Sequence, residues 1–342
     1  MKRIELVFGF LVGVGSVAGC GAPATPETQA LLDVKTFIVG NINDLEKAVG
    51  DLQNAAPAPD ADGWNSTADK AAVDNMKAAW KRARIAYEHI EGAIAVLFSG
   101  LDVSTDARYD DFISTTPDDN LFDDQGATGI HAIERILYSD VIPARVKTFE
   151  MGLMYYKPAA FPSNMQEASD FKTKLCARLV TDVKTMQTDF APLALDPAAA
   201  YRGVIGSMNE QVEKANKAIT GEEESRYAQF TLADMRTNVD AGLQTYNAFR
   251  SWLLSKGGAS DDVTIKAGFD KIRAKYDSYA GDSLPPVPAT WSPEMPSAED
   301  LATPFGQLFQ LLEDESNPDT SGSLVNTMNH SADLLGIPQL PN

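Results

Sequence analysis

The stretch Asp123-Asp124-Gln125-Gly126-Ala127-Thr128-Gly129-Ile130-His131-Ala132-Ile133-Glu134-Arg135-Ile136-Leu137-Tyr138 decides how the rest of the chain is read. Ile130, Ile133 and Leu137 recur at helical spacing behind Gly126 and Gly129, which predicts the opening turns of a helix with one buried face. His131, one of three histidines in the chain, stands three residues before Glu134, so the two side chains project from the same side of that helix. An imidazole nitrogen and a carboxylate converging beside an apolar stripe suit iron, manganese or zinc, whereas copper(I) would want thiolates. The same spacing also serves a plain hydrogen-bonded pair. Asp123 and Asp124 either complement the helix dipole or add oxygen ligands.

Outward from this stretch the pattern stays helical, with no alternating β-branched run long enough for a sheet. A first helix is expected over about 28–54, with Leu31, Leu32, Val34, Phe37, Ile38, Ile42, Leu45 and Val49 on its apolar side. Pro57, Pro59 and Gly63 break it. A second runs over about 67–98 from a Ser66 or Thr67 cap and carries Glu88 and Glu91, again three apart. On this helix alone that pair reads first as a solvent-facing carboxylate pair, with a ligand pair as the alternative. Residues 102–119 form an acidic connection, and 143–162 an aromatic-bearing loop.

Further helices are expected over about 164–190, 197–220, 231–255, 261–280, 298–313 and 322–335, the last holding His330 as a structural histidine. The expected fold is all-α, two antiparallel four-helix bundles made of about eight helices. Their halves fall at about 28–160 and 161–342.

Met1-Lys2-Arg3 ahead of an apolar run from Leu6 to Ala18 reads as an export signal over residues 1–19, too short and glycine-rich for a membrane span. Small residues before Cys20 match a lipoprotein signal cleaved ahead of an acylated cysteine, with residues 20–27 as a lipid-anchored linker. The expected location is therefore the periplasm or cell surface. Cys176 then remains as a lone thiol, read as a small buried apolar residue. The formal charge of −19 becomes about −20 once Lys2, Arg3 and Glu5 leave with the signal, which argues against nucleic acid and favours cations.

Gly129-Ile130-His131-Ala132-Ile133-Glu134 resembles the G-x-H-x-x-E signature of the imelysin-like family, and within it the EfeO-type proteins of iron uptake. Further stretches are similar: Ala83 to Glu91, Asp102 with Asp106 to Asp111, and Ile219 to Tyr227 continuing through Leu232-Ala233-Asp234-Met235 and Asn238-Val239-Asp240. The resemblance implies a double four-helix bundle over most of the mature chain. It also implies a cleft where Glu88, Glu91, Asp111 and Glu223 join His131 and Glu134 around iron, as Fe2+ or Fe3+, with zinc or manganese as alternatives. A membrane iron permease or other uptake component is the implied partner.

Two departures stand out. No cupredoxin-like domain is expected ahead of the bundle, and with it no copper-assisted oxidation step. Ile130 and Ala127-Thr128 stand where the family carries aromatics, so the cleft lining is expected to differ. Two other classes compete with metal capture. One is a peptidase, for which an H-E-x-x-H pattern is missing. The other is a cleft that binds haem or a polysaccharide.

Overall fold

A computed structural model of the chain describes residues 24–65 and 67–338, so the signal segment, Cys20 and Ser66 lie outside the described residues. Helix α1 (Pro26–Ala55) starts where Thr25 accepts the Thr28 amide at 3.2 Å and proline occupies the first turn. Its buried face is Ala30, Val34, Ile38, Ile42, Leu45, Val49 and Leu52. Leu32, counted on the apolar side from the sequence, is instead 51% exposed.

The expected second helix divides into α2 (Lys70–Glu88) and α3 (Glu91–Leu97). The cause is visible at the break. The Glu88 carbonyl accepts the Asn238 side-chain amide at 3.0 Å, in place of the amide one turn on that would continue the helix. The acidic connection contains α4 (Ser99–Asp106) and α5 (Tyr109–Ile113), after which come α6 (Gly129–Leu137) and α7 (Ala144–Glu150), the latter inside the expected loop. Helix α8 (Met165–Asp170) passes through a π-helical turn (Phe171–Leu175) into α9 (Cys176–Phe190).

Helix α10 (Pro197–Lys217) is capped by Asp196, which accepts the Ala198 amide at 2.6 Å. Then follow α11 (Thr231–Ser255), α12 (Ala259–Asp277), α13 (Ala298–Leu301), α14 (Pro304–Ser316) and α15 (Leu324–Leu335). Among the described residues the fold is all helical, as the periodicity predicts. More helices form than the pattern suggests, because the short ones lack the length to show a period.

Helix α1 packs against α2, α9 and α11, while α11 also packs against α10 and α12, and α12 against α15. One apolar core runs through all of them. Helix α6 is its most enclosed element, with all nine residues buried. Ile130, Ile133 and Leu137 are fully buried, at roughly 1.5–3 kcal/mol each relative to exposure. Trp80 of α2 fixes the start of α6 by donating Nε1–H to the Ile130 carbonyl at 3.0 Å. A helix held in this way presents its few polar side chains inside the protein, where each needs a partner.

Candidate metal site

Helix α6 opens at Gly129 with φ +89°, and a side chain there would collide with the Thr105 carbonyl. Glycine alone meets both demands. Its close approach lays α6 on the last turn of α4 and so sets Asp106 opposite His131.

Glu134 fixes the imidazole. Its Oε2 accepts Nδ1–H of His131 at 2.8 Å, and its Oε1 accepts the amides of Tyr227 at 2.9 Å and Ala228 at 2.8 Å. These amides come from an irregular turn that ends at Gln229, which takes the left-handed region at φ +53°. The same turn delivers Glu224. The other ring nitrogen, Nε2, is buried and makes no hydrogen bond among the described residues. It lies 3.4 Å from Asp106 Oδ1 and 3.5 Å from Glu224 Oε1. One ligand atom from each of Asp106, His131 and Glu224 lies within 4.8 Å of the others.

Cations crowd this point from the side. Arg84, fully buried, pairs with Glu88 and Asp106, with Glu224 at 3.2 Å and with Asp234 at 3.4 Å. Burial pulls the His131 pKa down and Arg84 adds to that, yet Asp106 and Glu134 hold it well above the ordinary histidine value. For Glu224, burial pushes upward while Lys214, His131 and Arg84 hold the carboxyl well below its usual range. Asp106 and Glu224 also line an open cavity of about 400 Å³ walled by Asp102, Asp111, Glu210 and Glu213 among others. Burial raises Asp102 to about 6 and Glu210 to about 7.

Of the residues expected from the sequence, His131 stands at the convergence and Glu134 stands behind it, both oxygens engaged. Glu88 and Glu91 sit together at the break between α2 and α3, tied to Lys214 at 3.0 and 2.9 Å. Asp111 caps α5 by accepting the Arg108 amide at 3.0 Å and lies on the cavity rim. Glu223 faces elsewhere, held by Arg145 at 2.7 Å and Gln229 at 2.7 Å. Sequence reasoning missed Asp106, Glu224 and Arg84 as members of the cluster, although all three lie in the stretches that carried the resemblance. In the turn before α11 no period tells which of three adjacent glutamates points inward. Arg84 could have been found, since it stands one helical turn before Glu88. His89 does not join His131 but meets the Phe37 ring edge-on at 5.8 Å.

The family model for Imelysin matches residues 38–334. The iron uptake system component EfeO of Yersinia pseudotuberculosis serotype I (strain IP32953) is 28% identical over 271 residues, 77% of this chain and 59% of that protein. The protein of the same name from Escherichia coli O1:K1 is 30% identical over 212 residues, 61% of this chain and 46% of that protein. The chain thus spans about half the length of the curated relatives it matches.

Proposed function

The chain belongs to the imelysin family, and from that membership and the cluster on α6 we propose that it is an extracytoplasmic protein that binds iron as cargo for an uptake system. The observation that carries this reading is the buried Nε2 of His131, which makes no hydrogen bond among the described residues and faces two carboxylate oxygens at 3.4 and 3.5 Å. The raised pKa of His131 puts a proton on Nε2 between those oxygens in the metal-free protein, and a metal ion would take its place among the same three donors. Imidazole with two carboxylates is a donor set for iron, with manganese and zinc as competitors.

Asp106, His131 and Glu224 are the proposed ligands, and Glu134 is a positioning residue that keeps the proton on Nδ1 and turns Nε2 inward. Arg84 neutralises Asp106 and Glu224 when the ion is absent, so cargo replaces a cation already in place. The acidic cavity beyond Asp106 concentrates cations at the entrance.

We further propose that residues 1–19 direct export and that Cys20 carries the lipid anchor, placing the cleft near a membrane permease or other uptake component. A binding role is preferred to peptide hydrolysis because His89, the one other histidine in the matching stretches, packs on Phe37 away from the cluster. The test is metal content after loading purified protein with Fe2+, Mn2+ or Zn2+ and desalting. Wild type is expected to keep about one ion per chain, and Asp106→Asn, His131→Ala and Glu224→Gln to lose it. Metal retained equally by wild type and all three variants would overturn the assignment.

A further inference from the structure

Lys214 carries a buried ammonium outside the cluster of Asp106, His131 and Glu224. Its side chain is 5% exposed, and Nζ donates to Glu88 Oε2 at 3.0 Å, Glu91 Oε2 at 2.9 Å and Asn238 Oδ1 at 2.9 Å. The oxygens around it are held from behind. Asn238 donates through Nδ2 to the Glu88 carbonyl at 3.0 Å and to Glu91 Oε2 at 3.1 Å, which turns its Oδ1 toward Nζ. Gln211 donates to that same Oδ1 at 3.3 Å, and the second carboxylate oxygen of Glu88 faces Arg84.

The break between α2 and α3 is what brings both glutamates to one point. Lys214 and Glu91 also line the acidic cavity, so solvent reaches the position. Glu210 lines it too, with an Oε2 that is buried and unpartnered among the described residues. An oxygen-only set of two carboxylates and an amide carbonyl is the donor chemistry of a hard divalent cation, and the ammonium is a compact point charge standing in the same place.

We propose that the Lys214 ammonium is a built-in cation that fills a second cation position of the cleft and limits the protein to a single bound metal ion. The inference rests on the iron-binding reading above and names what sets its stoichiometry. Removing the ammonium leaves two buried carboxylates short of positive charge, a costly state that a divalent ion entering from the cavity relieves. Because the lost charge also strengthens every cation contact nearby, the number of ions bound, and not their affinity, is the property to read.

The experiment is equilibrium dialysis of the full chain against Mn2+, with bound metal counted per chain. Wild type is expected to hold about one Mn2+ and Lys214→Ala about two, with Lys214→Ala/Glu91→Gln returning to about one. Lys214→Ala/His131→Ala is expected to keep the new ion and lose the original. A folded Lys214→Ala that still holds the wild-type number overturns the proposal. If Lys214→Ala does not fold alone, thermal melts decide: Mn2+ is expected to restore folding in a manner abolished by Glu91→Gln, and failure of Mn2+ to restore it overturns the proposal. Wild type with no bound Mn2+ beside Lys214→Ala with one would sink the iron-binding reading and overturn the one-ion limit that rests on it.

Discussion

Replacing Glu134 by glutamine keeps the size and shape of the side chain and removes one acceptor. In the native arrangement Oε1 accepts two backbone amides, from Tyr227 and Ala228 at 2.9 and 2.8 Å, and Oε2 accepts Nδ1–H of His131 at 2.8 Å. A glutamine has a single oxygen. Two amides outbid one ring nitrogen, so that oxygen stays on Tyr227 and Ala228 and the NH2 group turns to His131. Nδ1 must then accept, which moves the neutral-ring proton to Nε2, the atom facing Asp106 and Glu224. The ring still sits in the cluster, but its lone pair points away.

Loss of such an orienting carboxylate costs about 10–100-fold in metal affinity, or about 1.4–2.7 kcal/mol. The fold loses one charge-assisted hydrogen bond, about 1.5–3 kcal/mol, so the variant should remain folded at 25 °C. A chelator-competition titration with Mn2+ measures the affinity, and nitrogen-15 NMR of the histidine ring reports which nitrogen carries the proton. Affinity within about twofold of wild type, or a ring still protonated at Nδ1 alone in the metal-loaded variant, would refute the reasoning.

Glu210→Gln tests the cavity wall by pH. The folded protein holds Glu210 at about 7 against 4.5 for the free side chain, so below 4.5 both states are protonated. Between those values the unfolded chain gives up a proton that the folded chain keeps, and stability falls as pH rises to about 7, by up to about 3 kcal/mol. Urea melts of the variant should lack that decline, and a decline unchanged by the substitution would show that another group carries it. Gly129→Ala should cost at least about 2 kcal/mol from the φ of +89° and the Thr105 contact, and should also weaken metal binding by shifting Asp106. Unaltered binding in a destabilised Gly129→Ala would break the link between that contact and the site. Arg84→Met leaves Glu88 and Asp234 buried beside no guanidinium and is expected to lower stability by about 3–5 kcal/mol, read as a shift in the thermal midpoint. That loss corresponds to about 4–7 °C for a chain of this length, so a midpoint within about 1 °C of wild type would contradict the description of Arg84 as the charge balance of the cleft.

The long helices were legible because each repeats its apolar residues often enough to show a period. Thr231 to Ser255 follows the expected bounds, as does the start of the helix at Pro197. What the pattern could not show was the break at His89 and Ile90. That break depends on Asn238, some 150 residues away, taking the carbonyl that a continuous helix would use. At the site, His131 and Glu134 were legible from a three-residue spacing on one helix. Asp106 and Glu224 were not, since each comes from the end of a helix or an irregular turn, where direction is set by contacts distant in sequence. Choosing Glu223 over Glu224 is a choice between neighbours that point opposite ways, and only the amides of Tyr227 and Ala228 docking on Glu134 fix which one turns inward.

Arg84 stands where the buried carboxylates of the cleft converge. A cleft that placed Glu88, Asp106, Glu224 and Asp234 together with no cation would pay several kcal/mol for each desolvated charge. Arg84 and Lys214 remove that cost within the chain, so the empty cleft is a stable folded state in its own right. For a protein that keeps its metal permanently this would be a handicap, because the ion must win its carboxylates from a tethered guanidinium. For one that takes up iron and gives it away, the same competition is useful. Under the proposed role, Arg84 would already stand beside Asp106 and Glu224 when the ion leaves, so release would expose no unpaired buried charge and would need no unfolding of α6. On that proposal the metal affinity would be the difference between two cations on one set of oxygens, and Arg84 would set it as much as His131.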